Sequence, residues 1–205
     1  MTCTQTYISK TPLELSRTPF LYPAAGMQRS GRTIVEVGPG RGDFLFHLAE
    51  INPDATVVGI EIKRKRVDKL ISRVEKRGLK NVSLIQDDAR DALPRIFKDQ
   101  SVDEIHMNFP DPWPKNKHAK NRAASREFLE ECRRILKIGG TISIATDSLP
   151  YAQKILENAA TIRGLQSSYA NPLEREMPDA YPTFFAMKWR SEGREITYQK
   201  YRRMG

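Results

Sequence analysis

Thr33-Ile-Val-Glu-Val37, followed at once by Gly38-Pro-Gly-Arg-Gly42, constrains this chain more than any other segment. Five residues rich in β-branched types read as a buried strand. Three glycines at alternate positions then allow a tight turn. Beyond it Phe44, Leu45, Leu48 and Ala49 recur at helical spacing, and Asp43 stands where it can cap that helix. The unit repeats. Strands are expected at 56–60, 82–85, 102–107 and 141–145. Helices are expected at 63–77, near 91–97, at 125–136 (stopped by Gly139-Gly140) and from Ser148, as a cap, to about 162. Two further strands, 184–190 and 195–201, are expected to pair around Gly193. Strands alternating with helices imply an α/β, Rossmann-like, doubly wound and mostly parallel sheet. The last two strands add an antiparallel C-terminal pair.

The length of 205 residues fits one domain. Pro12, Pro19 and Pro23 punctuate residues 1–30, which read as an irregular N-terminal arm; residues 31–205 read as the single folded domain. Apolar runs are far shorter than the roughly 20 residues that span a bilayer. No basic-then-apolar leader opens the sequence. No membrane partner is therefore expected, and a cytoplasmic location is the default. Cys3 and Cys132 are too few for a disulfide framework, and His47, His106 and His118 are scattered, so no metal site is expected. Lys plus Arg number 34 against 25 Asp plus Glu, a net charge of +9. That balance suits a polyanion partner or simply a basic solvated surface.

The glycine turn narrows the ligand. A dinucleotide fingerprint needs G-x-G-x-x-G. Here the third glycine comes one residue early, and Asp43 occupies the final position, where a carboxylate would repel a pyrophosphate. No phosphate-binding G-x-x-x-x-G-K-[ST] exists either. The arrangement E-x-G-x-G-x-G (Glu36, Gly38, Gly40, Gly42), with Glu61 closing the second strand, resembles the S-adenosylmethionine site of class I methyltransferases. That resemblance implies a cofactor carrying an ammonium and a sulfonium, which acids can face. Glu61 would accept from the ribose hydroxyls, and Asp88-Ala89 would meet the adenine.

The loop after the fourth strand, Asn108-Phe-Pro-Asp-Pro-Trp-Pro-Lys-Asn-Lys-His-Ala-Lys-Asn-Arg122, carries the most specific signal. Prolines stiffen it, Trp113 offers a stacking face, and Lys115, Lys117, Lys120 and Arg122 suit phosphates. Phe109-Pro-Asp-Pro-Trp-Pro-Lys115, His118, Ala145-Thr-Asp147, Thr183-x-Phe185-x-x-Lys188-Trp189 and Gly193-x-x-Ile196 together closely resemble the bacterial tRNA (guanine-N7-)-methyltransferase family, over nearly the whole chain. The resemblance implies a class I methyltransferase fold. It also implies methyl transfer from S-adenosylmethionine to guanine N7 at position 46 of the tRNA variable loop. It assigns Glu36, Gly38, Gly40, Glu61, Asp88, Ala89 and Asp111 to the cofactor, and Asp111 to catalysis. Lys115, Asp147, Thr183, Phe184, Phe185 and Ala186 fall to the substrate, and Lys117, His118, Lys120, Asn121 and Arg122 to the RNA. It implies tRNA as the partner, and a monomer or homodimer is expected. Two positions depart from the family pattern: Asn121 replaces a basic residue, and Ala186 replaces a glutamate that would accept from guanine N1 and N2. Asp111, Asp147 or Glu192 is the alternative acceptor.

Bland roles remain open at several of these positions. Asp111 can cap its loop, Trp113 can anchor the core, and Asp147 can cap the next helix. The run Lys63-Arg-Lys-Arg66, with Lys69, Arg73, Lys76 and Arg77, is either a solvated helix face or an extension of the tRNA footprint. Methylation of an exocyclic amino group and tRNA binding without turnover are the competing functions.

Overall fold

A computed structural model describes residues 20–22, 31–111, 124–175, 177 and 180–205. Along the chain run β1 (Phe20–Tyr22), β2 (Thr33–Val37), α1 (Asp43–Ile51), β3 (Thr56–Glu61), α2 (Arg64–Arg77), β4 (Val82–Gln86) and α3 (Ala89–Ile96). There follow β5 (Val102–Asn108), α4 (Arg126–Ile135), β6 (Leu136–Thr146), α5 (Leu149–Ala160), β7 (Leu165–Ser167), α6 (Phe184–Ser191) and β8 (Thr197–Arg203). All the strands join one sheet, ordered β1-β4-β3-β2-β5-β6-β8-β7. The five strands from β4 to β6 are parallel. β1 runs antiparallel to β4, and β8 antiparallel to both β6 and β7.

Side chains alternate across the strands and feed two cores. On one face Ile34, Val57, Val82 and Leu84 pack with Leu45 and Leu48 of α1 and Val67, Leu70 and Val74 of α2. On the other, Val35, Ile105, Met107, Ile142 and Ile144 meet buried side chains of α3, α4 and α5. Strand order reverses between β2 and β5, so the crevice beyond their carboxyl ends is where an open α/β sheet receives a ligand. Among the described residues no helix is long and apolar enough to cross a membrane.

The start of α1 shows why glycine is needed in the turn. The N-cap is Gly42, at φ +82°, and Asp43 lies inside the first turn rather than capping it. A Cβ on Gly42 would stand 2.3 Å from Leu70 Cδ2 and 2.8 Å from Phe46 Cζ. Both side chains are buried and cannot withdraw. Gly42→Ala is therefore expected to cost about 2–3 kcal/mol, from left-handed strain plus overpacking. Chemical denaturation checks this, and an unchanged midpoint would refute it.

Several expectations are corrected. Phe184–Ser191 is a helix, not a strand. Thr183 Oγ1 accepts from the Ala186 N–H at 3.1 Å, and Phe185 stacks on Trp189 one turn later. The antiparallel element at that edge is instead β8 laid between β6 and β7. Gly139 and Gly140 do not stop a helix: α4 ends at Ile135, and both glycines lie inside the eleven-residue β6, where its register with β5 shifts. A Cβ on Gly140 would meet the carbonyl oxygens of Asp103 and Lys137, each at 2.9 Å. Ser148 occupies the N-cap of α5 but makes no side-chain cap; its N–H donates to Thr146 Oγ1 at 3.2 Å. Within the stretch expected to be irregular, β1 adds an edge strand.

Candidate active site

A cavity of about 680 Å³ opens at the carboxyl ends of β2, β3, β4 and β5, with the N-terminus of α6 along its rim. The glycine turn forms one wall. Gly38 and Gly40 have φ of +72° and +53°, and nothing approaches within 4 Å of a Cβ built on Gly38. That backbone is therefore open for a ligand to lie against.

Glu36 lies at the floor, 2% exposed. Its Oε2 has no hydrogen-bond partner. Burial pushes its pKa from 4.5 to about 8; the neighbouring Asn108 amide pulls the other way, and Asp43 and Glu61 add small upward pushes. Asn108 Nδ2 is itself buried without a partner. A buried carboxylate oxygen without a partner thus stands beside an amide donor at the end of the two central strands. Buried polar groups are rarely left so; the pair fits a ligand bearing an ammonium and a carboxylate on one carbon.

Glu61 closes β3 and is equally buried. Its Oε1 accepts from the Lys63 N–H at 2.9 Å, and its Oε2 faces Arg66 at 3.5 Å. Acceptor capacity therefore remains toward the cavity. Asp88 also lines it, but the carboxylate caps α3 and accepts from Arg90 Nη2 at 2.5 Å. The Arg90 hydrogen bond holds its pKa below the usual carboxylate range. Asp88 is thus already engaged as a cap, and Ala89 supplies a small apolar contact beside it.

Across the cavity stand Asp111, Thr183, Phe184 and Phe185. Asp111 is exposed at the rim and follows Phe109, a non-glycine residue at φ +54°. Such strain clusters at functional loops. Ala186 does not face the cavity. It is buried with Ala145 and Ile196, against Phe109 and Tyr198. Asp147 also stays outside the lining; Arg194 Nη1 holds its Oδ2 at 2.8 Å, and the same guanidinium lies 4.0 Å over Trp189. Glu192 pairs with Arg194 at 3.4 Å. Of the three alternative acceptors, Asp111 alone lines the cavity. Lys115, Lys117, His118, Lys120, Asn121 and Arg122, together with Trp113, lie outside the described residues.

Sequence reading missed Arg41, whose guanidinium lies 4.3 Å over the Phe184 ring and joins the glycine turn to α6. It also missed Asn108, the last residue of β5. No group of three His, Cys, Asp or Glu side chains that could hold a metal occurs among the described residues. Burial pushes the Cys132 thiol far up, so it cannot serve as a nucleophile.

Comparison with known proteins finds methyltransferases. A family model described as "Putative methyltransferase" matches residues 30–198. The chain is 34% identical over 167 residues to the tRNA (guanine-N(7)-)-methyltransferase of Thermotoga maritima, covering 82% of the chain but only 52% of that relative. It is 36% identical to the enzyme of that name from Saccharophagus degradans (78% and 70% covered). The one from Geobacter metallireducens is 31% identical (93% and 95%). Thus the matched stretch spans about half the Thermotoga protein and nearly all of the Geobacter one. Among solved structures, the 16S rRNA methyltransferase KamB superposes with a TM-score of 0.63 at 18% identity (86% and 90% covered). The aminoglycoside resistance methyltransferase NpmB1 gives 0.58 at 19% (87% and 90%). At such identities these two speak for the fold alone.

Proposed function

Because this chain belongs to the tRNA (guanine-N(7)-)-methyltransferase family, we propose that it transfers a methyl group from S-adenosylmethionine to N7 of a guanine in tRNA. The observation that carries this reading is the buried Glu36 Oε2, left without a hydrogen-bond partner beside the Asn108 amide at the glycine turn, with the Asp111 carboxylate on the opposite rim.

The residues present fit the cofactor. Glu36 and Asn108 match its ammonium and carboxylate, and Glu61 has lone pairs for the ribose hydroxyls. Ala89 and the exposed Ile62 flank the space beside them. When bound, S-adenosylmethionine supplies an electrophilic methyl on a cationic sulfur. The acceptor needs no activation: guanine N7 carries a free lone pair at neutral pH, so no proton is removed before attack. The purine becomes a cation instead. The protein's work is therefore positioning and charge stabilisation. Asp111 offers a carboxylate where the purine cation develops. Phe184 and Phe185 offer rings on which a base stacks after leaving its place in the folded RNA. Such chemistry needs no Ser-His or Cys-His pair, and among the described residues no Ser, Cys or His lines the cavity. The reading places the protein with tRNA in the cytoplasm.

The test is nucleoside analysis of tRNA incubated with the protein and methyl-labelled S-adenosylmethionine. Label in 7-methylguanosine is expected. Label in an N2- or N6-methylated nucleoside would assign the exocyclic chemistry, and tRNA bound without label would make the chain a binding protein.

A binding prediction follows from β3. Glu61→Ala is expected to weaken cofactor binding by about 1.5–3 kcal/mol, the worth of hydrogen bonds to a charged acceptor. Titration calorimetry with S-adenosylhomocysteine measures it. Unchanged affinity would remove Glu61 from the site.

A further inference from the structure

α2 carries more positive charge than its own stability explains. Seven of its fourteen residues are Lys or Arg, and two are acidic. The arginines are mostly tied to the body of the protein. Arg73 pairs with Asp43 at 3.1 Å and Arg77 with Glu50 at 2.7 Å, and both lie over the Phe46 ring at 4.8 and 4.9 Å. Arg66 faces Glu61, and Arg64 pairs with Asp68 at 2.8 Å.

The lysines differ. Lys65, Lys69 and Lys76 are exposed, and none has an acidic partner among the described residues. At 3.6 residues per turn they fall within about 40° of one another, on the crest opposite the buried Val67, Leu70 and Val74. They span about 16 Å along the axis.

Their placement works against the helix. The first turn holds cations and no acid, at the end where the macrodipole disfavours positive charge. Lys65 and Lys69 are like charges at i,i+4, as are Lys69 and Arg73. Burial of the opposite face holds the helix in place, so its stability does not require the crest charges. α2 itself reaches the cavity from its flank: Arg73 donates to the Arg41 carbonyl, and the Arg41 guanidinium covers Phe184 at the rim.

We propose that the crest of α2 docks the sugar-phosphate backbone of tRNA beyond the nucleotide being methylated, with Lys65, Lys69 and Lys76 neutralising phosphates. This rests on the tRNA reading above and adds a contact region to residues 115–122, which are expected from the sequence to meet RNA. Lysines without acid partners, in line at a spacing that spans two or three phosphates, meet a flexible polyanion without reading sequence.

The variant is Lys65→Gln/Lys69→Gln/Lys76→Gln. It leaves the buried face and every ion pair named above in place. Full-length tRNA binding, measured across a salt series, is expected to lose about 2 to 3 from its log–log slope and to weaken at least tenfold near 0.1 M salt. Binding of S-adenosylhomocysteine, and of a short RNA hairpin carrying only the variable loop, is expected to stay within twofold. A wild-type slope and affinity in the triple variant, while wild-type protein methylates tRNA, would overturn the docking surface alone. Failure of wild-type protein to methylate or bind tRNA would overturn the activity reading and this proposal with it. Loss of binding to phosphatidylglycerol vesicles with the tRNA slope intact would assign the crest to a lipid surface instead.

Discussion

Asp111→Asn is expected to slow single-turnover methylation of tRNA by about a hundred- to a thousandfold with saturating cofactor, on the order of 3–4 kcal/mol in activation free energy. The substitution keeps the shape and removes the charge. Of the carboxylates offered for the acceptor side, Asp147 is held by Arg194, Glu192 shares that arginine, and only Asp111 lines the cavity. On the proposed reading Glu36 and Glu61 face the cofactor, across the cavity from Asp111, and neither replaces it near the purine. Cofactor affinity in Asp111→Asn should change little by comparison. A rate within a few-fold of wild type would show that no carboxylate at this rim stabilises the developing cation.

Glu36→Gln is expected to remove a large part of the pH dependence of stability in the cofactor-free protein. In the folded chain the carboxyl titrates at about 8, against an ordinary 4.5. Between those values the unfolded chain has lost the proton and the folded chain keeps it. Stability that is fully present below pH 4.5 is therefore lost as pH rises through 8, by on the order of 5 kcal/mol in all. Glutamine does not titrate. Thermal unfolding should show variant and wild type close together at pH 5, with the variant increasingly the more stable toward pH 8. Cofactor binding should move oppositely. A cation favours the ionised form, so wild-type affinity rises with pH while Glu36→Gln binds weakly throughout. Parallel stability profiles for the two proteins would contradict the burial argument.

The alternation of strand and helix was legible because Ile34, Val57 and Ile105 fall in short β-rich runs while Val67, Leu70 and Val74 keep helical spacing. The acids were legible for a related reason: in parallel β–α units the loops after the strands gather at one end, so Glu36, Glu61 and Asp111 had to approach one another. Other features depend on partners remote in sequence. Phe184 to Arg190 holds an apolar run that suits strand or helix equally. What decides is the Thr183 cap and the contact of Phe185 with Trp189, and with Ala at 186 the glutamate that would complete a capping box is missing. β1 is three residues between prolines and exists only by pairing with β4. Asn108 gains its role only beside Glu36, and Arg41 only beneath Phe184. Ala186 was read by resemblance as facing substrate, but its small side chain fills the gap between Ala145 and Ile196.

The place of β8 in the sheet has a consequence for how the protein is made. β8 is the last strand along the chain, yet it lies between β6 and β7. β7 pairs with β8 alone, and Tyr201 of β8 completes the core that holds Ile142 and Ile144. While the ribosome is still adding residues 197–203, β6 presents an open, apolar edge and β7 has nothing to join. Closure of the sheet must await release of that strand, and until it emerges the nascent chain carries an unpaired edge of the kind that favours aggregation.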